Sequence, residues 1–166
     1  SDSTGSKECQ DCKTGTISSS TGATSCSICQ AGKYSSNGNC INCPAGTASN
    51  DGKICTACAQ GYYAPTQALT KCLSCKPGTY SIGTKNIACT QCAEGTYTSG
   101  AGSTVCGICQ AGTYSFGSGN SICSKCTGKE TSAAAAAAGC GKCPAGKFGK
   151  SLSSCTICEA GKYSMA

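Results

Sequence analysis

Cysteine is the one residue type in this sequence with the number and spacing to do chemistry. Twenty of the 166 residues are Cys, and each belongs to a Cys-x-x-Cys pair. The ten pairs begin at Cys9, Cys26, Cys40, Cys55, Cys72, Cys89, Cys106, Cys123, Cys140 and Cys155, in steps of 14 to 17 residues. Thiols in such pairs oxidise to disulfides, hold zinc as thiolates, or act as redox dithiols. There is no His, which excludes a Ser-His-Asp triad, a Cys-His pair and an imidazole metal ligand. The acids Asp2, Glu8, Asp11, Asp51, Glu94, Glu130 and Glu159 are scattered, with no pairing for general acid–base work. No catalytic, cofactor-binding or metal residue is assigned, and the expectation is a protein that is not an enzyme and needs no cofactor.

The three uses of paired thiols differ in their surroundings. Two successive Cys-x-x-Cys pairs give zinc-ribbon spacing, so ten pairs would supply five four-thiolate sites. The pairs here are evenly spaced rather than grouped in twos. Redox dithiols sit at a helix N-terminus on an α/β scaffold, and no helical periodicity is present. The disulfide reading fits the composition best. Cys stands at 20 of 166 residues, or 12%, above the roughly 8–10% that marks a disulfide scaffold. With 24 Ser, 19 Thr, 23 Gly and only nine aromatics, no large core can form. Cross-links then become a condition of folding, which implies an oxidising compartment: extracellular or cell-surface.

The elements that must carry these cysteines repeat with them. Three residues after the second Cys stands Gly in nine of ten units: Gly15, Gly32, Gly46, Gly61, Gly78, Gly95, Gly112, Gly146 and Gly161. Two further on is an aromatic in seven: Tyr34, Tyr63, Tyr80, Tyr97, Tyr114, Phe148 and Tyr163. Turn signals follow, such as Asn37-Gly38, Asp51-Gly52 and Gly100-Ala101-Gly102. The order reads as a small β-hairpin, with Gly at a positive φ, an aromatic in a short strand and a reversal before the next pair. The aromatics are expected to pack over the adjacent disulfide. The fold class predicted is small and disulfide-rich, mostly irregular with short β-hairpins, in an elongated linear array of about ten 14–17-residue repeats. The repeats are 9–25, 26–39, 40–54, 55–71, 72–88, 89–105, 106–122, 123–139 and 140–154, numbered 1 to 9 below. A leader covers 1–8, and a truncated tenth repeat covers 155–166. Repeat 8 departs from the pattern, with Gly128 one place early, Thr131 for the aromatic and six alanines, Ala133 to Ala138. Six residues are too few for a stable helix.

Two disulfide schemes treat all pairs systematically. The hairpin reading favours neighbour bonds: Cys12–Cys26, Cys29–Cys40, Cys43–Cys55, Cys58–Cys72, Cys75–Cys89, Cys92–Cys106, Cys109–Cys123, Cys126–Cys140 and Cys143–Cys155. It leaves Cys9 and Cys158 for flanking repeats. The rival scheme joins alternate pairs first-to-first and second-to-second, for example Cys9–Cys26 with Cys12–Cys29. It uses all twenty but makes equivalent units inequivalent.

The net charge of +6 comes from Lys alone, without Arg. The lysines are dispersed, and none falls between residues 86 and 124. Nucleic-acid readers need Arg forks and basic clusters, so no nucleic-acid partner is expected. No apolar run reaches the ~20 residues of a membrane span. The broken last repeat predicts a fragment of a longer chain, whose flanking repeats would be partners. No Asn-x-Ser/Thr sequon occurs, while the hydroxyl content admits O-glycans.

Cys75-Lys-Pro-Gly-Thr-Tyr-Ser, Cys92-Ala-Glu-Gly-Thr-Tyr-Thr, Cys109-Gln-Ala-Gly-Thr-Tyr-Ser and Cys158-Glu-Ala-Gly-Lys-Tyr-Ser resemble the cysteine-rich repeats of ephrin-receptor-like and growth-factor-receptor-like ectodomains. The likeness runs over nearly the whole chain from Cys9. The sequence is also similar to protist Cys-x-x-Cys surface proteins, including ciliate immobilisation antigens. A looser likeness to tumour-necrosis-factor-receptor modules implies neighbour-to-neighbour bonds. Together these imply a secreted or surface protein without enzymatic activity. Two roles follow as expectations. One is a structural rod, coat or fibre element that contacts copies of itself. The other is a receptor or adhesion stalk with a protein ligand, for which Tyr62, beside Tyr63, is the candidate anchor. A four-cysteine zinc module is the third reading.

Overall fold

A computed structural model describes residues 8–127, 130–132 and 134–165. The displaced Gly128, the first alanine of the run and most of the 1–8 leader lie outside these residues. Among the described residues there is no helix, and every strand is half of a two-stranded antiparallel hairpin. Nine disulfides follow one another along the sequence in a linear array. The chain divides into two interleaved compact units, Ser1–Cys58 with Ala64–Cys72, and Ala59–Tyr63 with Leu73–Ala166.

In the first unit, Thr16–Ile17 pairs with Ser27–Ile28, Lys33–Ser36 with Asn39–Asn42, and Thr47–Ala48 with Thr56–Ala57. In the second, Tyr62–Tyr63 pairs with Leu73–Ser74, Thr79–Tyr80 with Thr90–Gln91, Thr96–Tyr97 with Gly107–Ile108, and Thr113–Tyr114 with Ser124–Lys125. Lys147–Ser151 pairs with Ser154–Ile157 across a register shift between Gly149 and Ser151. The first strand is the predicted one, holding the aromatic position. The return strand is made by the two residues between the cysteines of the following pair. Tyr63 therefore faces Leu73, and Tyr97 faces Gly107.

Local chemistry explains each hairpin. The residues after the second cysteine form a four-residue turn closed by a backbone bond, as from the Thr79 N–H to the Lys76 carbonyl at 3.0 Å. Gly78 sits third in that turn at φ 81°, the position where a type II turn requires φ > 0. Threonine follows the glycine in several repeats and adds a second bond. The Thr79 and Thr96 hydroxyls donate to the Lys76 and Ala93 carbonyls at 2.7 and 2.6 Å. In repeat 2 the Asn37-Gly38 reversal has both residues at positive φ, 49° and 75°, the conformation that a two-residue hairpin loop needs.

The interior is sulfur rather than hydrocarbon. The largest fully buried side chains among the described residues are Cys43, Cys58, Cys75, Cys92, Cys109 and Cys126, each the second cysteine of its pair. Each of these N–H groups is held by the glycine of the preceding repeat. Cys75 donates to Gly61 and Cys92 to Gly78, both at 2.9 Å. Sulfur and backbone therefore do the work of an apolar core.

The described residues of repeat 8 keep one bridge of the hairpin without the aromatic. Thr131 and Gly141 exchange both backbone bonds, at 2.7 and 2.9 Å. The described alanines form a bend and turn, not a helix.

Candidate functional site: the clasp between repeats

Three kinds of backbone bond tie one repeat to the next and recur at equivalent positions, while in repeat 1 the Gly15 N–H goes instead to the Ser35 hydroxyl at 2.7 Å. The first runs from the motif glycine to the residue just after the aromatic position of the following repeat. In the first unit Gly32 donates to Ser49 at 2.7 Å and Gly46 to Ala64 at 2.8 Å. In the second, Gly61 donates to Ser81, Gly78 to Thr98, Gly95 to Ser115, Gly112 to Ser132 and Gly146 to Ser164, at 2.7–3.1 Å.

The second bond leaves the N–H of that post-aromatic residue for a carbonyl in the next loop. It joins Ser49 to Leu69, Ser81 to Ser103, Thr98 to Asn120 and Ser115 to Ala137, at 3.0–3.2 Å. The third satisfies the carbonyl of the buried cysteine. Ala68 donates to Cys43, Gly102 to Cys75, Gly119 to Cys92 and Ala136 to Cys109, at 2.8–2.9 Å.

The loop that makes these bonds also reaches a second neighbour. A Cβ built on Gly61 would run into the carbonyl of Gly102, and one on Gly78 into that of Gly119. Gly95 meets Ala136 in the same way, and in the first unit Gly32 meets Ala68. Each of these pairs spans two repeats. The glycine thus serves twice, permitting a positive φ and clearing space for another backbone.

The residue after the aromatic completes the clasp. It is buried and small: Ser49, Ser81, Ser115 and Ser132 are 2–4% exposed and Ala64 is 0% exposed. The Ser115 hydroxyl donates to the Thr96 carbonyl of the previous repeat at 3.0 Å, and the Ser164 hydroxyl to Lys147 at 2.6 Å. Sequence reasoning missed this position. Its signal was the Ser, Ala or Thr directly after each repeat tyrosine. The loop residue at positive φ was missed too, because Ala68, Lys85 and Ala136 occupy it in place of Gly.

The structure places the remaining candidate residues as follows. The disulfides join Cys12–Cys26, Cys29–Cys40, Cys43–Cys55, Cys58–Cys72, Cys75–Cys89, Cys92–Cys106, Cys109–Cys123, Cys126–Cys140 and Cys143–Cys155, with Cα atoms 5.5–5.8 Å apart. Cys9 and Cys158 carry unbridged thiols. Tyr34, Tyr63, Tyr80, Tyr97 and Tyr114 are half-buried, whereas Phe148 and Tyr163 are 45% and 83% exposed. Tyr62 is 43% exposed, and the end of its ring lies against Gly102. Two ion pairs, Lys53–Asp51 and Lys162–Glu159, are solvent-exposed and contribute little.

The geometry just described coincides with a family match. Residues 66–105 match the family described as tyrosine-protein kinase ephrin type A/B receptor-like. They run from the loop of repeat 4 through all of repeats 5 and 6. They include the Cys75–Cys89 bridge and the clasp from Gly78 to Thr98. These residues resemble an ephrin-receptor-like repeat. The comparison with curated proteins finds no match. The glycine-to-post-aromatic bond of this segment recurs in other repeats, as from Gly46 to Ala64, Gly95 to Ser115 and Gly112 to Ser132. The chain is a tandem array of cysteine-rich, disulfide-bonded repeats.

Proposed function

We propose that this chain is a non-enzymatic extracellular structural protein, a disulfide-stapled rod that spaces, coats or builds a fibre. The clasp is the observation that carries this reading. It is made mainly by backbone groups at fixed positions, so repeats can be added whatever their outward side chains are. Such one-dimensional arrays gain stability from nearest-neighbour contacts. Flanking repeats of a longer chain and copies of the same chain are its proposed partners. An oxidising compartment supports the bridges. The test is small-angle X-ray scattering on the oxidised protein. A compact domain of this length has a radius of gyration of about 15 Å. A value near that would overturn the rod, and a clearly larger one with a rod-like cross-section supports it.

The family match favours a second reading, a ligand-binding receptor or adhesion stalk. Tyr62 is then the anchor, being partly exposed and seated on Gly102. Capture of a protein ligand that disappears in Tyr62→Ser, with the disulfides intact, would favour this over the spacer. Native mass spectrometry separates the zinc reading from both. Nine bridges lower the mass by about 18 units (9 × 2) relative to the fully reduced chain, whereas zinc raises it.

A further inference from the structure

The second unit carries apolar side chains in solvent where a repeat array has no need of them. Ile82, Ile87, Val105, Phe116 and Ile122 are 68%, 59%, 70%, 80% and 65% exposed. All lie in the loop halves of repeats 5, 6 and 7. The clasp bonds link the backbone segments that carry four of them. Ser81, next to Ile82, donates to Ser103, two residues before Val105. Thr98 donates to Asn120, two residues before Ile122, and Asn120 in turn donates through its side chain to the Phe116 carbonyl at 2.9 Å. The segments that carry Ile82, Val105, Ile122 and Phe116 are thus joined, repeat to repeat, into one row of loops. Isolated exposed apolar residues need no explanation, but a contiguous set marks an interaction surface.

Charge says what covers it. Between residues 82 and 124 the only charged side chains are Lys85 and Glu94, of opposite sign. The rest of the chain holds 12 Lys and 6 acids, a net of 12 − 6 = +6. Two copies repel one another over most of their surfaces and are spared that repulsion here. We infer that the loop faces of repeats 5–7 form the surface through which two copies of this chain associate side by side. The contact is isologous, the same patch meeting itself. Five side chains at roughly 100 Å² each give about 1,000 Å² over both copies, the lower limit for a specific interface. The association is therefore weak and reversible. It deepens the structural reading above, on which it rests, by supplying a lateral contact between rods.

The test is sedimentation of the oxidised chain over a range of concentration and salt. Reversible dimers are expected, and they should tighten as salt screens the flanking lysines. Phe116→Lys with Ile122→Lys should weaken dimerisation by at least about tenfold. The control pair Ile28→Lys with Ile157→Lys, equally exposed but outside the row, should not. The milder pair Val105→Thr with Ile122→Thr should weaken it in the same direction, and serves if the lysine variant fails to form its nine bridges. A strictly monomeric chain at high concentration and salt overturns the inference. So does association that weakens with salt, or an equal loss in the control. A monomer with an extended scattering profile would remove this face and leave the spacer reading standing.

Discussion

The carbonyl of Gly119 fills the space that a side chain on Gly78 would occupy, although the two belong to repeats 5 and 7. The intervening repeat is held to both, since Gly78 donates to Thr98 and Gly119 to Cys92. Three consecutive repeats therefore meet at one glycine. Stability in such an array depends on how closely backbones approach, and the number of atoms at that position decides the approach.

Gly78→Ala should consequently be among the most damaging single changes. It places a non-glycine residue at φ 81° and drives its methyl into a carbonyl. Left-handed strain and the overlap together should cost about 2–4 kcal/mol. Gly83→Ala in the same repeat is the control. It shares a positive φ of 73° but meets nothing within 4 Å, so only the strain of about 1–2 kcal/mol remains. Denaturant titration of the oxidised proteins should show the larger loss at Gly78. Equal losses would show that the second-neighbour contact contributes nothing.

The opposite effect is expected where the loop already carries strain. Ala136 holds φ 59°, and its N–H donates to the Cys109 carbonyl at 2.8 Å. Ala136→Gly relieves the left-handed penalty of about 1–2 kcal/mol and gives back about 0.5–1 kcal/mol through greater freedom of the unfolded chain. A net gain of about 0.5–1 kcal/mol should appear as a melting temperature a few degrees higher. Ala68→Gly should behave alike, while Gly119→Ala, at φ 78°, should lose what those gain.

These positions show where the sequence was legible. The cysteine pairs, the motif glycine and the Asn37-Gly38 turn stand out because few residue types can do their work. The strained loop position does not, since Gly102 and Gly119 share it with Ala68, Lys85 and Ala136, and backbone hydrogen bonds outweigh the local preference. The return strands were equally hidden. Gly107-Ile108 and Thr90-Gln91 have no strand signature of their own, and it is the disulfide and the cysteine N–H that extend them. Phe148 occupies the aromatic position in a strand whose residues are all exposed, so motif position alone does not fix burial.

The residue after the aromatic gives a prediction that size, not hydroxyl, decides. Ser115 is 2% exposed, and its Oγ donates to Thr96 at 3.0 Å. Repeat 4 has Ala64 at the equivalent place, fully buried with the backbone bond from Gly46 retained. Ser115→Ala should thus cost about 0.5–1.5 kcal/mol, the net value of one hydrogen bond. Ser115→Leu has no room and should cost about 2–3 kcal/mol or more through overpacking. Amide hydrogen exchange should locate that damage at the Gly95 and Ser115 amides, which donate to the Ser115 and Ala137 carbonyls. Comparable losses for both variants would mean that the hydroxyl, rather than the tight fit, is what the position requires.

Removing one bridge should injure more than one repeat. Replacing Cys92 and Cys106 together by Ala opens a loop with a sequence separation of 14, which costs about 3 kcal/mol by the chain-entropy argument. The Cys92 backbone would remain, but its burial depends on the bridge, and it holds both Gly78 through its N–H and Gly119 through its carbonyl. Protection from hydrogen exchange should fall at the Cys92 and Gly119 amides, which lie in different repeats, while Gly146, bonded to Ser164, keeps its protection. Loss confined to the loop between residues 92 and 106 would show that each repeat stands alone. Loss across every repeat would show instead that the array unfolds as one cooperative body.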